Sequence, residues 1–162
     1  MLGHAGVMGA TVSFAEDWQL SAPSDAVVAV LAAVDAYDQW WPQIRRIERI
    51  DEASGWAYVR SVMPVTLRLR LTRETEDRAA GLLRVRLDGD LVGWCQWCVE
   101  PSGGGSVATF TEEVSVKHPV LRRFVGVPGG DWMMRANHAA MMRSGRAGLR
   151  RWLGPDTPTG SR

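Results

Sequence analysis

From Thr11 to Lys117 apolar and polar residues alternate mostly with the period of a strand, and from Asp131 to Leu153 the spacing lengthens to that of a helix. The first alternating run, Thr11–Leu20, sets Val12, Phe14, Trp18 and Leu20 on one face, with Glu16 among them. Ser21-Ala22-Pro23-Ser24-Asp25 breaks that run, and Ser24 or Asp25 is placed to cap a helix through Ala26–Leu31. A short helical turn is expected from Ala36 to Trp40. It ends at Trp41-Pro42, because the residue before a proline is pushed out of the helical region.

Strands resume at Gln43. Ile44, Ile47 and Ile50 mark one, and Trp56 to Met63 alternate in the next, with Pro64 at its end. Leu67, Leu69 and Leu71 then face one way, as do Leu83, Val85 and Leu87, and Asp88-Gly89 signals a hairpin. Leu91–Glu100 and Val107–Lys117 are the last strands, followed by a loop from His118 to Gly130. In the final helix Met134, His138, Met141, Met142, Gly145, Leu149 and Trp152 share one side, and Asp131 is read as its cap. Arg135, Arg143, Arg146 and Arg150 lie opposite.

Consecutive hairpins give an antiparallel sheet, whose apolar face needs a cover, and only the last helix is long enough to provide it. The expected fold is α+β: a seven-stranded curved antiparallel sheet wrapped around a long C-terminal helix, with two short helices between strands 1 and 2. Residues 11–153 form that single domain, between a flexible N-terminus, 1–10, and a disordered tail, 154–162.

At 162 residues the chain suits one domain with one sizeable core. A net charge of +1 provides no field to draw nucleic acid, so the arginine stripe reads as a solvated helix back. No apolar run approaches the roughly 18 residues of a membrane span. The first residues lack the basic start of a secretory signal, so a cytoplasmic protein with no stable membrane insertion is expected. Cys95 and Cys98 form a lone CxxC; in a strand their odd spacing sends the thiols to opposite faces, against a local disulfide or shared metal. No nucleophile triad, phosphate loop or nucleotide fingerprint is present, and neither cofactor nor metal is expected.

The unusual members of the helix's apolar face are His138 and Gly145. Histidine changes charge near neutral pH, so His138 could contact a ligand or serve as a general acid/base. The plainer alternative is a buried neutral histidine bonded to a strand. Gly145 either lets a neighbour approach closely or leaves volume unfilled, whereas Gly148 carries little information. Glu16 and Glu112 share the register of apolar residues and point inward unless a bulge exposes them. Trp97 shares a side with Leu91. The candidate lining of an internal pocket is Tyr58, Trp97, Met134, His138 and Met141.

Some residues carry a family resemblance over nearly the whole chain: Tyr37-Asp38-Gln39-Trp40-Trp41-Pro42 followed by Ile44 and Glu48, then Gly89-Asp90-Leu91-Val92-Gly93. On the last helix they are Asn137-His138, Met141-Met142, Gly145 and Gly148-Leu149. With the element order they resemble the helix-grip fold of the START and plant pollen-allergen superfamily, in its bacterial polyketide cyclase/dehydrase and lipid transport group. The resemblance implies an apolar cavity between sheet and helix that takes lipids, sterols, polyketides or aromatic hormones. Some bacterial members are aromatase/cyclases with a cavity aromatic after the Trp-Pro turn; here Gln43–Glu48 has neither Phe nor Tyr. The expected function is binding of a hydrophobic or aromatic small molecule. One alternative is a polyketide cyclase/dehydrase-type enzyme using His138 and an inward carboxylate. Another is a protein-interaction module with no open cavity. Pairing of two copies through the helix or an edge strand is left open.

Overall fold

A computed structural model of the chain describes residues 11–154. The flexible N-terminus expected over 1–10 and the tail from 155 onward lie outside the described residues. The strands are β1 (Thr11–Leu20), β2 (Ile44–Arg49), β3 (Ser54–Val59), β4 (Leu67–Asp77), β5 (Leu82–Gly89), β6 (Leu91–Ser102) and β7 (Gly105–Val116). The helices are α1 (Ser24–Ala32), α2 (Pro119–Arg122) and α3 (Gly130–Leu153), with a 3-10 turn at Val34–Gln39. The strands make one seven-stranded antiparallel sheet in the order β1-β7-β6-β5-β4-β3-β2. β1 and β2 are neighbours in sequence yet form the two edges. α1 and the 3-10 turn therefore carry the chain from one edge to the other, across the end of the hollow. This is the expected helix-grip architecture.

Register decides what the hollow contains. Phe14 pairs with Glu112, which pairs with Cys95, and Glu16 pairs with Phe110, which pairs with Trp97. Paired residues share a face, so these side chains stand in adjacent rows on the concave side. Strand ends and caps differ from expectation in detail. β3 stops at Val59 rather than Met63. Beyond it the Arg60 N–H donates to Gln43 and the chain turns away toward Pro64. α1 has no side-chain cap: the Pro23 carbonyl accepts from Ala26 and Val27 N–H, and Asp25 sits inside the first turn. Gly129, whose φ of 79° is left-handed, is the N-cap of α3, and Asp131 lies within the first turn rather than capping it.

The C-terminal half of α3 is seated on a shelf formed by Trp40 and Trp41. Gly145 lies against the Trp41 ring, where a Cβ would come within 2.7 Å of Nε1, and the Trp41 indole N–H donates to the Met141 carbonyl at 3.0 Å. Gly148 is buried against the Trp40 backbone, with a hypothetical Cβ 3.0 Å from the carbonyl carbon and overlapping its oxygen. Gly148 is thus a packing position, contrary to the sequence reading, and close approach explains both glycines. Met142 and Leu149, which flank the two glycines, are fully buried. Trp152, expected on the buried face, is 47% exposed; it lies one turn beyond Gly148, at the end of the helix. Among the described residues no helix is long and apolar enough to cross a membrane.

Candidate functional site

α3 fills the hollow only where it is seated. Beneath its N-terminal half, between sheet and helix, lies a partly open cavity of about 190 Å³. One water needs roughly 10–15 Å³ on the same measure, so the space exceeds a single-water void by more than tenfold. An interaction module with a filled interior does not describe this molecule. The sheet contributes apolar rows to the wall: Leu67, Leu69 and Leu71 of β4, and Leu83, Val85 and Leu87 of β5. These are the leucine alternations visible in the sequence. Trp41 and Tyr37 close the side next to the shelf, and α3 supplies Met134, Asn137, His138 and Met141.

Several polar groups on this wall are already engaged. The Tyr37 hydroxyl donates to the Leu31 carbonyl at 2.5 Å, and burial holds its ionisation well above the ordinary phenol range. Asn137 ties α3 to the β3–β4 loop. Its side-chain oxygen accepts from the Met63 N–H at 3.1 Å, and its carbonyl accepts from the Ser61 hydroxyl at 3.2 Å. This is the helix–sheet seam role a mid-helix asparagine can take. Cys95 faces the same space; burial, and then the nearby Glu112 carboxyl, push its thiol well above the ordinary value. Cys95 and Cys98 are both free, and they sit on opposite faces as their spacing requires.

Glu112 and His138 remain. The imidazole stacks on Phe14 with centroids 3.8 Å apart and planes 8° from parallel, and lies 5.9 Å from the Phe110 centroid. Its Nε2 stands 3.9 Å from Glu112 Oε2, with side chains only 15% and 12% exposed. That separation is too long for a hydrogen bond and suited to a bridging atom. Among the described residues neither side chain makes a hydrogen bond; His138 is packed against Phe14 and Phe110 of the strands, with the Glu112 carboxyl of β7 beside it.

Of the five candidate lining residues, Trp97, Met134, His138 and Met141 are on the cavity wall. Tyr58 is a correction: it lies on the outer face of the sheet. Ala57 and Val59 are the buried positions of β3. Tyr58 points the other way, with Arg46 4.5 Å over its ring and its hydroxyl donating to Glu48 at 3.3 Å. Trp94 is likewise outside, under Arg84 at 4.0 Å. The sequence reading did not pick out Phe14, Tyr37 or Trp41 as lining. Phe14 could have been found, since it shares a parity with Trp18 and pairs with inward Glu112.

The family of polyketide cyclase / dehydrase and lipid transport proteins matches residues 11–151 of this chain. No curated protein matches it. Among solved structures, the Zhui aromatase/cyclase from Streptomyces sp. R1128 is similar, with a TM-score of 0.67 and 14% identity, covering 89% of this chain and 93% of that one. A START superfamily protein from Mycobacterium smegmatis has a TM-score of 0.64 and 16% identity over 88% of this chain and 96% of that one. The di-domain ARO/CYC BexL from the BE-7585A biosynthetic pathway reaches a TM-score of 0.70 at 11% identity, covering 91% of this chain and 51% of that one. At such identities the likeness is one of fold.

Proposed function

The chain belongs to the polyketide cyclase / dehydrase and lipid transport family, and from that premise we propose that it is a cytoplasmic carrier of a hydrophobic or aromatic small molecule. The guest, lipid- or polyketide-like, lies in the cavity beneath the N-terminal half of α3. The observation that carries this reading is the cavity itself, walled by leucine, valine and tryptophan and left open although the rest of the helix is tightly seated. Apolar burial stabilises a guest by about 25 cal/mol per Å², so roughly 200 Å² of apolar guest surface contributes about 5 kcal/mol before ordering costs. Trp97, Met134 and Met141 give that contact, and the methionines adapt to differing shapes. His138 orients a polar end.

Native mass spectrometry of protein purified from its own host tests the reading. A retained small-molecule adduct that disappears in Met134→Trp, a substitution that fills the space, is the expected result. Absence of any adduct, together with no response to a panel of lipids and aromatic ketones, would overturn it.

A second reading draws on the His138–Glu112 contact: acid/base cyclisation or dehydration of a polyketide-like substrate. At 3.9 Å the two groups are one bridging atom apart, which still permits proton transfer through that atom. Incubation with a synthetic β-polyketone thioester tests it. Loss of one water mass that requires His138 supports catalysis, and an unchanged substrate leaves the carrier reading alone.

A further inference from the structure

Glu112 is an anomaly in an apolar wall. A buried carboxyl group without a partner costs several kcal/mol, and native proteins pair nearly all such groups. Yet among the described residues no donor lies within hydrogen-bonding distance of it. The nearest, His138 Nε2, stops at 3.9 Å, and its ring is held there by the stack with Phe14. At that separation the two groups can be joined only through a third atom.

The geometry limits what that atom can be. An oxygen placed about 2.8 Å from both Glu112 Oε2 and His138 Nε2 subtends roughly 90° between them, within reach of a hydroxyl's donor and lone-pair directions. Between an ionised carboxylate and an imidazole with its proton on Nε2, it must donate to the first and accept from the second. A hydroxyl does both. A ketone or ether oxygen only accepts, and it would leave Glu112 bare and face its lone pairs. An ammonium only donates, so His138 would go unsatisfied. A water meets the same requirements in the empty protein, and a guest that displaces it keeps affinity only by reproducing its bonds.

Deepening the carrier reading, on which it rests, we infer that Glu112 and His138 together form a hydroxyl-recognition site. The guest is an apolar molecule whose single hydroxyl, phenolic or alcoholic, bridges the two side chains while its hydrocarbon body lies along the β4 and β5 leucines. Glu112 is the residue that distinguishes a donor-bearing guest from an acceptor-only one. His138 positions the hydroxyl and shares the aromatic stack.

The test is isothermal titration calorimetry with four compounds of one skeleton: naphthalene, 2-naphthol, 2-methoxynaphthalene and 2-acetylnaphthalene. The wild-type protein is expected to bind 2-naphthol at least about tenfold more tightly than the other three, as a charge-assisted hydrogen bond implies. In Glu112→Leu that advantage disappears while naphthalene binding is kept or strengthened. Glu112→Gln keeps the shape and loses the charge; its expected advantage is intermediate, and it serves if the leucine variant does not fold. Equal binding of naphthol and naphthalene, tightest binding of the ketone, or a naphthol advantage that survives both substitutions would overturn the inference and leave the carrier reading intact. If none of the four binds, and no member of the lipid panel does either, the carrier reading falls and this inference with it.

Discussion

Replacing Gly148 by alanine sets two effects of opposite sign against each other. An alanine in a helix interior is worth about 1 kcal/mol more than a glycine, so propensity alone makes Gly148→Ala stabilising. Packing says otherwise. The new Cβ would overlap the Trp40 carbonyl oxygen, a backbone atom that cannot rotate aside. α3 would have to lift from its shelf, disturbing the seating of Leu149 and the Trp41–Met141 hydrogen bond. Overpacking of this kind costs about 3 kcal/mol at the upper end of its usual range, which leaves a net loss of about 2 kcal/mol. For a chain of 162 residues that is a fall in Tm of about 4–8 °C. Urea unfolding followed by far-UV circular dichroism measures it, with Ala147→Gly as the control. Ala147 is exposed one residue away, so the control should lose about 1 kcal/mol from propensity alone. A midpoint for Gly148→Ala at or above that of the wild type would refute the close approach and with it the seated half of the helix.

Tyr37→Phe removes the donor to the Leu31 carbonyl and leaves that acceptor buried, so a loss of about 1–3 kcal/mol is expected in the same unfolding assay. Native protein treated with iodoacetamide at pH 8 should gain one adduct, at Cys98, because Cys95 stays protonated in the cavity wall; intact-mass and peptide analysis reads this directly. The Cys95 thiol's folded value is raised, so its contribution to stability is complete below the ordinary thiol range and is lost as pH rises through the raised value. Asp51 shows the opposite sign: the Ala53 and Ser54 N–H groups, at 2.9 and 2.7 Å, hold its carboxyl below the usual carboxylate range. Its contribution is present above the ordinary value and lost as pH falls through the lowered one, and an NMR titration of the side chain should place its midpoint below that of free aspartate. Tyr58→Ala, on the outer face, should leave guest binding unchanged by calorimetry.

Parity made much of this molecule legible. Leu67, Leu69 and Leu71 read as one face, and Glu112 follows Phe110 and Val114 inward because β7 runs without the bulge that would have exposed it. Cys95 and Cys98 had to separate for the same reason. What parity could not supply was which of two alternating sets in a mixed strand is the inner one. In β3 the bulk of Trp56 and Tyr58 argues for one face. The sheet chose the other, because Ala57 stands beside inward Leu69 in the β3–β4 pairing, and pairing is not written locally. The role of Gly148 was hidden for a related reason: it depends on a carbonyl more than a hundred residues earlier in the chain. Trp41 and Tyr37 sit in a turn with no period to follow. They line the cavity only because that turn bridges the sheet's two edges.

The indole rings near the cavity stand in series. Trp97 lies 4.7 Å from Trp18, Trp18 lies 5.7 Å from Trp41, and Trp41 lies 5.4 Å from Trp40, ring centre to ring centre. The series starts on the cavity wall and ends under the helix, with Trp18 sealed from water in the middle. At such separations light absorbed by one ring passes to the others before it is emitted. The ultraviolet emission of these four rings is therefore a shared signal, and in the proposed carrier a guest that touches either Trp97 or Trp41 alters it. In the proposed carrier that series would act as an optical gauge of whether its hollow is occupied.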